Sequence, residues 1–211
     1  MFLTEKKDLK EIDEALIKYK KIGIIGCASC ASVCLTGGSK EVKEMEKHLA
    51  ASGKDVAFTI SIDEPCDKRV LKEDIRFVED EIEGVQAVVV LSCGTGVQTI
   101  GEFIGKKVIA GTDSRYIAQT EHIGKYNMLC GGCDQCRLNF TGGVCTLTLC
   151  PKGLSNGPCE GHKGFNCEVY EENECVFMKS YKLLSKYFEE ENLNKIFEPR
   201  NHSLPVKRIK I

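Results

Sequence analysis

Two hydrophobic periods alternate along residues 22–110. Short apolar runs at Ile22-Gly23-Ile24-Ile25, Val56-Ala57-Phe58-Thr59-Ile60, Ala87-Val88-Val89-Val90-Leu91 and Val108–Ala110 predict strands. Between them the apolar residues recur every three or four positions. Val42, Met45 and Leu49 mark a helix over 40–52, and Leu71, Ile75, Val78 and Ile82 mark one over 68–82. A further helix is expected around Val97–Ile104. The 87–91 run has no polar position, a pattern that suits a strand covered on both faces. Repeated strand–helix units of this kind predict an α/β domain built on a small, doubly wound parallel sheet of Rossmann or flavodoxin type. Ahead of it, Leu9, Ile12, Leu16 and Tyr19 share one face of an amphipathic helix expected over 4–20. Residues 111–129 read as a connector with a helical piece around Tyr116–His122.

The pattern changes at residue 130. Residues 130–175 carry no long apolar period and are rich in glycine. A loop-dominated segment of this kind cannot bury much core, so bound inorganic groups are expected to hold it together. Helical spacing returns at Phe177, Tyr181, Leu184 and Phe188. The predicted organisation is an N-terminal helix in 1–20, an α/β domain in 21–125, a cysteine-rich domain in 126–180, and a helix with a basic tail (Lys207-Arg208-Ile209-Lys210) in 181–211.

Composition narrows the function classes. At 42% hydrophobic and 28% charged residues the 211-residue chain is an ordinary globular protein. A net charge of -2 offers no electrostatic footprint for nucleic acid. No apolar run is long enough for a membrane span, and the charged N-terminal stretch Thr4-Glu5-Lys6-Lys7 does not read as a signal peptide. A cytoplasmic protein is expected. The abnormal number is cysteine, at 13. Disulfides are disfavoured in a reducing compartment and by the odd count, so this density points to metal or iron–sulfur ligation.

The cysteines fall into two groups. Cys27, Cys30 and Cys34 follow the first predicted strand of the parallel sheet, Cys66 the second and Cys93 the third. All three loops lie at the carboxyl edge of a parallel sheet, where ligands bind. Cys30, Cys34 and Cys93 are the first choices as ligands in that crevice, with Cys27 and Cys66 competing for the fourth place. A nucleotide is the weaker reading, because Gly94-Thr95-Gly96 is only part of a dinucleotide fingerprint. The second group is Cys130-x2-Cys133-x2-Cys136-x8-Cys145-x4-Cys150-x8-Cys159-x7-Cys167-x7-Cys175. A C-x2-C-x2-C turn places three thiolates on one cubane, and ferredoxin loops follow their fourth cysteine with proline, as Cys150-Pro151 does here. These eight cysteines suffice for two [4Fe-4S] clusters, or for one cluster and a four-thiolate Zn2+ site. Spacing alone leaves open which cysteines share a site. With the crevice, the chain would hold two or three clusters. His162, inside the array, reads as a loop residue because the array is not short of thiolates.

The segments Cys130-Gly131-Gly132-Cys133-Asp134-Gln135-Cys136 and Cys150-Pro151-Lys152-Gly153-Leu154-Ser155-Asn156-Gly157-Pro158-Cys159-Glu160-Gly161, followed by Cys167-Glu168-Val169, are more specific. They resemble the cysteine-rich C-terminal domain of methylenetetrahydrofolate reductase systems, and the chain resembles their MetV-type small subunits in acetogens. The likeness is specific over 126–180 and looser over 20–125. Glu160 stands where the family often has glycine, a departure that touches no ligand. The resemblance implies a non-catalytic subunit of an oxidoreductase. It would sit against a MetF-type flavin-containing subunit and relay electrons through iron–sulfur clusters, with a further redox subunit as donor or acceptor. A zinc-stabilised clamp on the flavoprotein is the alternative.

Overall fold

Ala87–Leu91, the run without a polar residue, is a strand buried at all five positions. It is the fourth strand of a computed structural model that describes residues 1–133 and 136–199. In chain order the elements are β1 (Phe2–Lys6), α1 (Leu9–Ala15), β2 (Lys21–Cys27), α2 (Cys30–Val33), α3 (Ser39–Ala51), β3 (Asp55–Ile62), α4 (Lys68–Ile75) and α5 (Glu79–Gly84). There follow β4 (Ala87–Leu91), α6 (Gly94–Ile104), β5 (Lys107–Ala110), β6 (Thr112–His122), β7 (Lys125–Cys130), α7 (Thr146–Leu149) and α8 (Val176–Ser185). The chain divides into two compact units, Met1–Met128 and Leu129–Ile211. The basic stretch 207–210 lies outside the described residues.

In the first unit, β2, β3, β4 and β5 form a four-stranded parallel sheet in the order β3-β2-β4-β5. Side chains alternate between its faces. Ile22, Ile24, Ala87, Val89 and Leu91 pack with Ile12 and Leu16 of the α1 region and with Val42, Met45 and Leu49 of α3. Ile25, Val88 and Val90 point the other way, into a cluster with Leu71, Ile75, Ile82 and Ile100 from α4, α5 and α6. Helices therefore cover both faces, which is why β4 reads as an unbroken apolar run. Strand β2 has β3 on one side and β4 on the other, so the chain changes direction across the sheet at β2.

Local signals set the helix starts and stops. The Glu41 carboxylate accepts the Gly38 N–H at 3.0 Å ahead of α3, and Asp67 accepts the Arg69 N–H at 2.8 Å to open α4. Gly105, in the left-handed region at φ +63°, closes α6. The helix expected over 68–82 is two helices joined by a 3-10 turn at Arg76–Val78. That turn keeps Ile75, Val78 and Ile82 on the sheet and leaves Phe77 in solvent.

Two expectations are corrected at the edges of this unit. The helix expected over 4–20 is confined to Leu9–Ala15, and Phe2–Lys6 is a strand. The helical piece expected at Tyr116–His122 is the far half of strand β6. The two corrections have one cause: β1 pairs antiparallel with β6, with Phe2 opposite Ile117 and Lys6 opposite Thr112. Strand β7 completes a three-stranded sheet in the order β1-β6-β7, its hairpin turning at Gly124 with φ +91°.

The second unit has little regular structure. Its buried cluster consists of Val144, Cys175, Val176 and Phe177, with Leu149, Leu154, Met178 and Leu183 packed against it. Among the described residues, no helix is long and apolar enough to cross a membrane.

Candidate functional site

The carboxyl ends of β3, β2 and β4 lie side by side, and four of the first unit's five cysteines follow from that register. Cys27 ends β2 opposite Ile62, the last residue of β3. It is buried, and its thiol faces the Asp63 carbonyl at 3.9 Å. The Ala28 N–H donates to the Ile62 carbonyl at 2.8 Å, which carries the pairing of β2 with β3 past the strand end. Cys30 opens α2. Cys66 stands in the loop after β3, just before Asp67 starts α4. Cys93 is buried two residues past β4 and immediately ahead of α6. A β-carbon added to Gly96 would lie 3.4 Å from Pro65 and 2.2 Å from Ser92 Oγ, so the Cys66 and Cys93 loops are packed together. Partial burial of the otherwise exposed Cys66 pushes its thiol up, and the Cys93, Cys27 and Cys30 sulfurs add to the shift.

Cys34 meets the second sheet. Its sulfur accepts the Thr4 N–H at 3.5 Å and faces the Phe2 carbonyl at 3.7 Å, both in β1. The strand that sequence periodicity missed is what engages this thiol.

In the second unit the eight cysteines separate into two sets of four. Cys130, Cys133, Cys136 and Cys145 line one cavity, together with Gly131, Gly132, Arg137 and Thr146–Thr148. The C-x2-C-x2-C turn supplies three thiols and the residue that opens α7 supplies the fourth. Thr148 ties the two loops, since its hydroxyl accepts the Gly131 N–H at 3.1 Å. Two sulfurs already accept backbone hydrogen bonds, Cys130 from the Gly132 N–H and Cys145 from the Thr148 N–H, each at 3.4 Å. Such N–H···S contacts favour the reduced form of a thiolate-bound cluster.

Cys150, Cys159, Cys167 and Cys175 line a second cavity. The cysteine followed by proline thus serves the other cavity, which is how the fourth cysteine of a bacterial two-cluster run behaves. Cys175 starts α8, and its N–H donates to the Phe165 carbonyl at 2.7 Å. The Cys159 thiol donates to Glu168 at 3.4 Å, and Glu168 also pairs with Lys152. Lys152, and after it the Cys159 thiol, holds the Glu168 carboxyl below the ordinary range. Glu168 in turn holds the Lys152 ammonium above its own. His162 stands apart, with Nδ1 3.1 Å from the Gly164 carbonyl.

Thr148, Lys152 and Glu168 are the residues that cysteine spacing did not single out. Their only signal in the sequence is nearness to a cysteine. Among the described residues, no three His, Cys, Asp or Glu side chains converge tightly enough to close on a single ion. The donor set in each cavity is nonetheless four soft sulfurs, the set that suits iron–sulfur clusters or zinc.

The chain is a mixed α/β protein with a parallel four-stranded sheet and a cysteine-rich second unit. Residues 109–203 match the family described as methylene-tetrahydrofolate reductase C terminal. The matched stretch spans β6, β7 and most of the cysteine-rich unit. The comparison with curated proteins returns no match.

Proposed function

We propose that this chain is the iron–sulfur electron-transfer subunit of a methylenetetrahydrofolate reductase assembly. In this reading it is a MetV-type subunit that relays electrons between a redox partner and the flavin of a MetF-type catalytic subunit in the cytoplasm. One observation carries the reading: the eight cysteines of 130–175 line two cavities, four to each, inside the segment that matches the reductase family. Reduction of the methylene group to methyl takes up two electrons and two protons. A [4Fe-4S] centre supplies one-electron carriage when bound.

The chain's own residues bind and tune. Cys130, Cys133, Cys136 and Cys145 would ligate one centre, with the Gly132 and Thr148 N–H groups drawing charge from the sulfurs. Cys150, Cys159, Cys167 and Cys175 would ligate the other, and Lys152 brings a positive charge beside that set through its pair with Glu168.

The test is anaerobic purification with iron and sulfide analysis. The protein is expected to be brown and to bleach with dithionite. Cys145→Ser and Cys167→Ser are each expected to lower the iron content by about four per chain, the complement of one cubane. After dithionite reduction, a MetF-type flavoprotein should re-oxidise the wild-type chain. A colourless chain with stoichiometric zinc would make it a structural clamp instead and overturn the proposal.

A further inference from the structure

Unit 1 contains a cysteine set that the family match does not reach, since Cys27, Cys30, Cys66 and Cys93 all precede residue 109. We infer that these four cysteines form a third thiolate site, for an iron–sulfur centre of its own at the carboxyl edge of the parallel sheet, and that Cys34 is not among its ligands. The argument is topological first. A parallel sheet whose chain reverses direction at β2 leaves an opening at the ends of β2 and β4, and Cys27 and Cys93 stand at those two ends. The β3 loop closes on the same place from the other side of β2. Its Asp63 carbonyl meets the Cys27 thiol, and its Pro65 packs at Gly96 in the first turn of α6. Three loops thereby bring four soft donors to one edge, from strands paired in one register from Gly23 of β2 to their carboxyl ends.

The glycines at this edge fit a site that must stay tight. A β-carbon on Gly26 would lie 2.4 Å from the Gly37 carbonyl oxygen, and one on Gly37 would lie 2.1 Å from the Leu91 carbonyl oxygen. The turn after α2 is therefore pressed onto β2 and β4, and the Cys27 N–H donates to the Gly37 carbonyl at 2.8 Å. Cys34, which follows α2, lies against β1. Its sulfur accepts a backbone N–H from the edge strand, and the four thiols of Cys27, Cys30, Cys66 and Cys93 already suffice for a cubane without it.

These sulfurs stand too far apart to close on one ion. A cubane presents four separate iron corners, so it is served by thiolates more widely spaced than the four at about 2.3 Å around a lone zinc. If the function proposed above holds, this centre is a third station in the relay. The site itself stands on unit 1 alone.

The experiment compares full-length Cys66→Ser, Cys93→Ser and Cys34→Ser with wild type, purified anaerobically, by iron, sulfide and zinc content and by low-temperature EPR after dithionite. Cys66 is solvent-exposed, and serine at position 93 is a good residue to start α6, so neither change should disturb folding. A circular dichroism spectrum checks this. Cys66→Ser and Cys93→Ser are each expected to lose about four irons and one EPR component, while Cys34→Ser keeps the full complement. Retention of all iron in Cys66→Ser, loss of iron in Cys34→Ser, or loss of one zinc in place of iron would each overturn the inference. Its failure is separable from failure of the proposed function. Iron that disappears only with the Cys145→Ser and Cys167→Ser changes sinks the third site and leaves the relay standing, whereas a chain without iron sinks both.

Discussion

Thr4 and Thr36 share a buried hydrogen bond of 2.6 Å, and Thr36 Oγ1 also lies 3.1 Å from the Ala31 carbonyl, to which it donates. Thr36→Val removes that donor and leaves the Thr4 hydroxyl without a partner in the interior. A loss of about 1–3 kcal/mol in urea unfolding is expected, the usual cost of stranding a buried polar group. Thr4→Val alone should cost less, because Thr36 keeps its acceptor. The double variant should cost less than the sum of the two, the mark of residues in contact. At this scale the sequence was partly legible. Cysteine is chemically distinctive, so Cys130 through Cys175 announce themselves by type and spacing. Lys152, Glu168 and Thr148 do not, since a lysine, a glutamate and a threonine in a polar loop look like any solvated residues until the chain brings them to a sulfur. Cys34 is the complementary case: it sits at helical spacing from Cys30, and a strand from elsewhere in the chain also engages its thiol.

The elements of the parallel sheet were readable because each carries its own hydrophobic period. Strands β2 to β5 and helix α3 need no knowledge of their partners to be recognised. β1 and β6 are different. Phe2–Lys6 has two consecutive buried residues, Leu3 and Thr4, at a register shift in the ladder, so it shows no clean alternation. Its partner lies more than a hundred positions away in sequence, a relation that local periodicity does not encode. The packing of elements makes a second expectation testable. Gly37→Ala would push a β-carbon to within 2.1 Å of the Leu91 carbonyl oxygen, and backbone on both sides has nowhere to move. A destabilisation of roughly 3 kcal/mol or more is expected, in the range of severe overpacking. The denaturant midpoint of the full chain reports it. Gly53→Ala is the control: nothing lies within 4 Å there, and its cost should come only from the positive φ of 79°.

On the scale of the molecule the two units rest on different physics. Unit 1 buries aliphatic side chains on both faces of a sheet, while the buried apolar cluster of unit 2 has, among the described residues, four members, one of them a cysteine. A core that small does not offset the conformational entropy of ordering its loops, so its fold should depend on what its thiolates bind. Stripping the proposed iron–sulfur centres from the full chain by anaerobic chelation is expected to expose sites within 129–199 to limited proteolysis while the 1–128 fragment resists. Equal resistance of both halves after stripping would show that unit 2 holds itself together. The sequence made this division visible as a change from periodic to glycine-rich text near residue 130, although it could not say how eight thiols sort into two cavities. The pairing of β1 with β6 reaches beyond the folded state. A nascent chain still too short to expose His122 outside the ribosome carries Phe2–Lys6 as an unpaired strand, so during translation this segment must wait for a partner made more than a hundred residues later, open meanwhile to chaperones or to a neighbouring polypeptide.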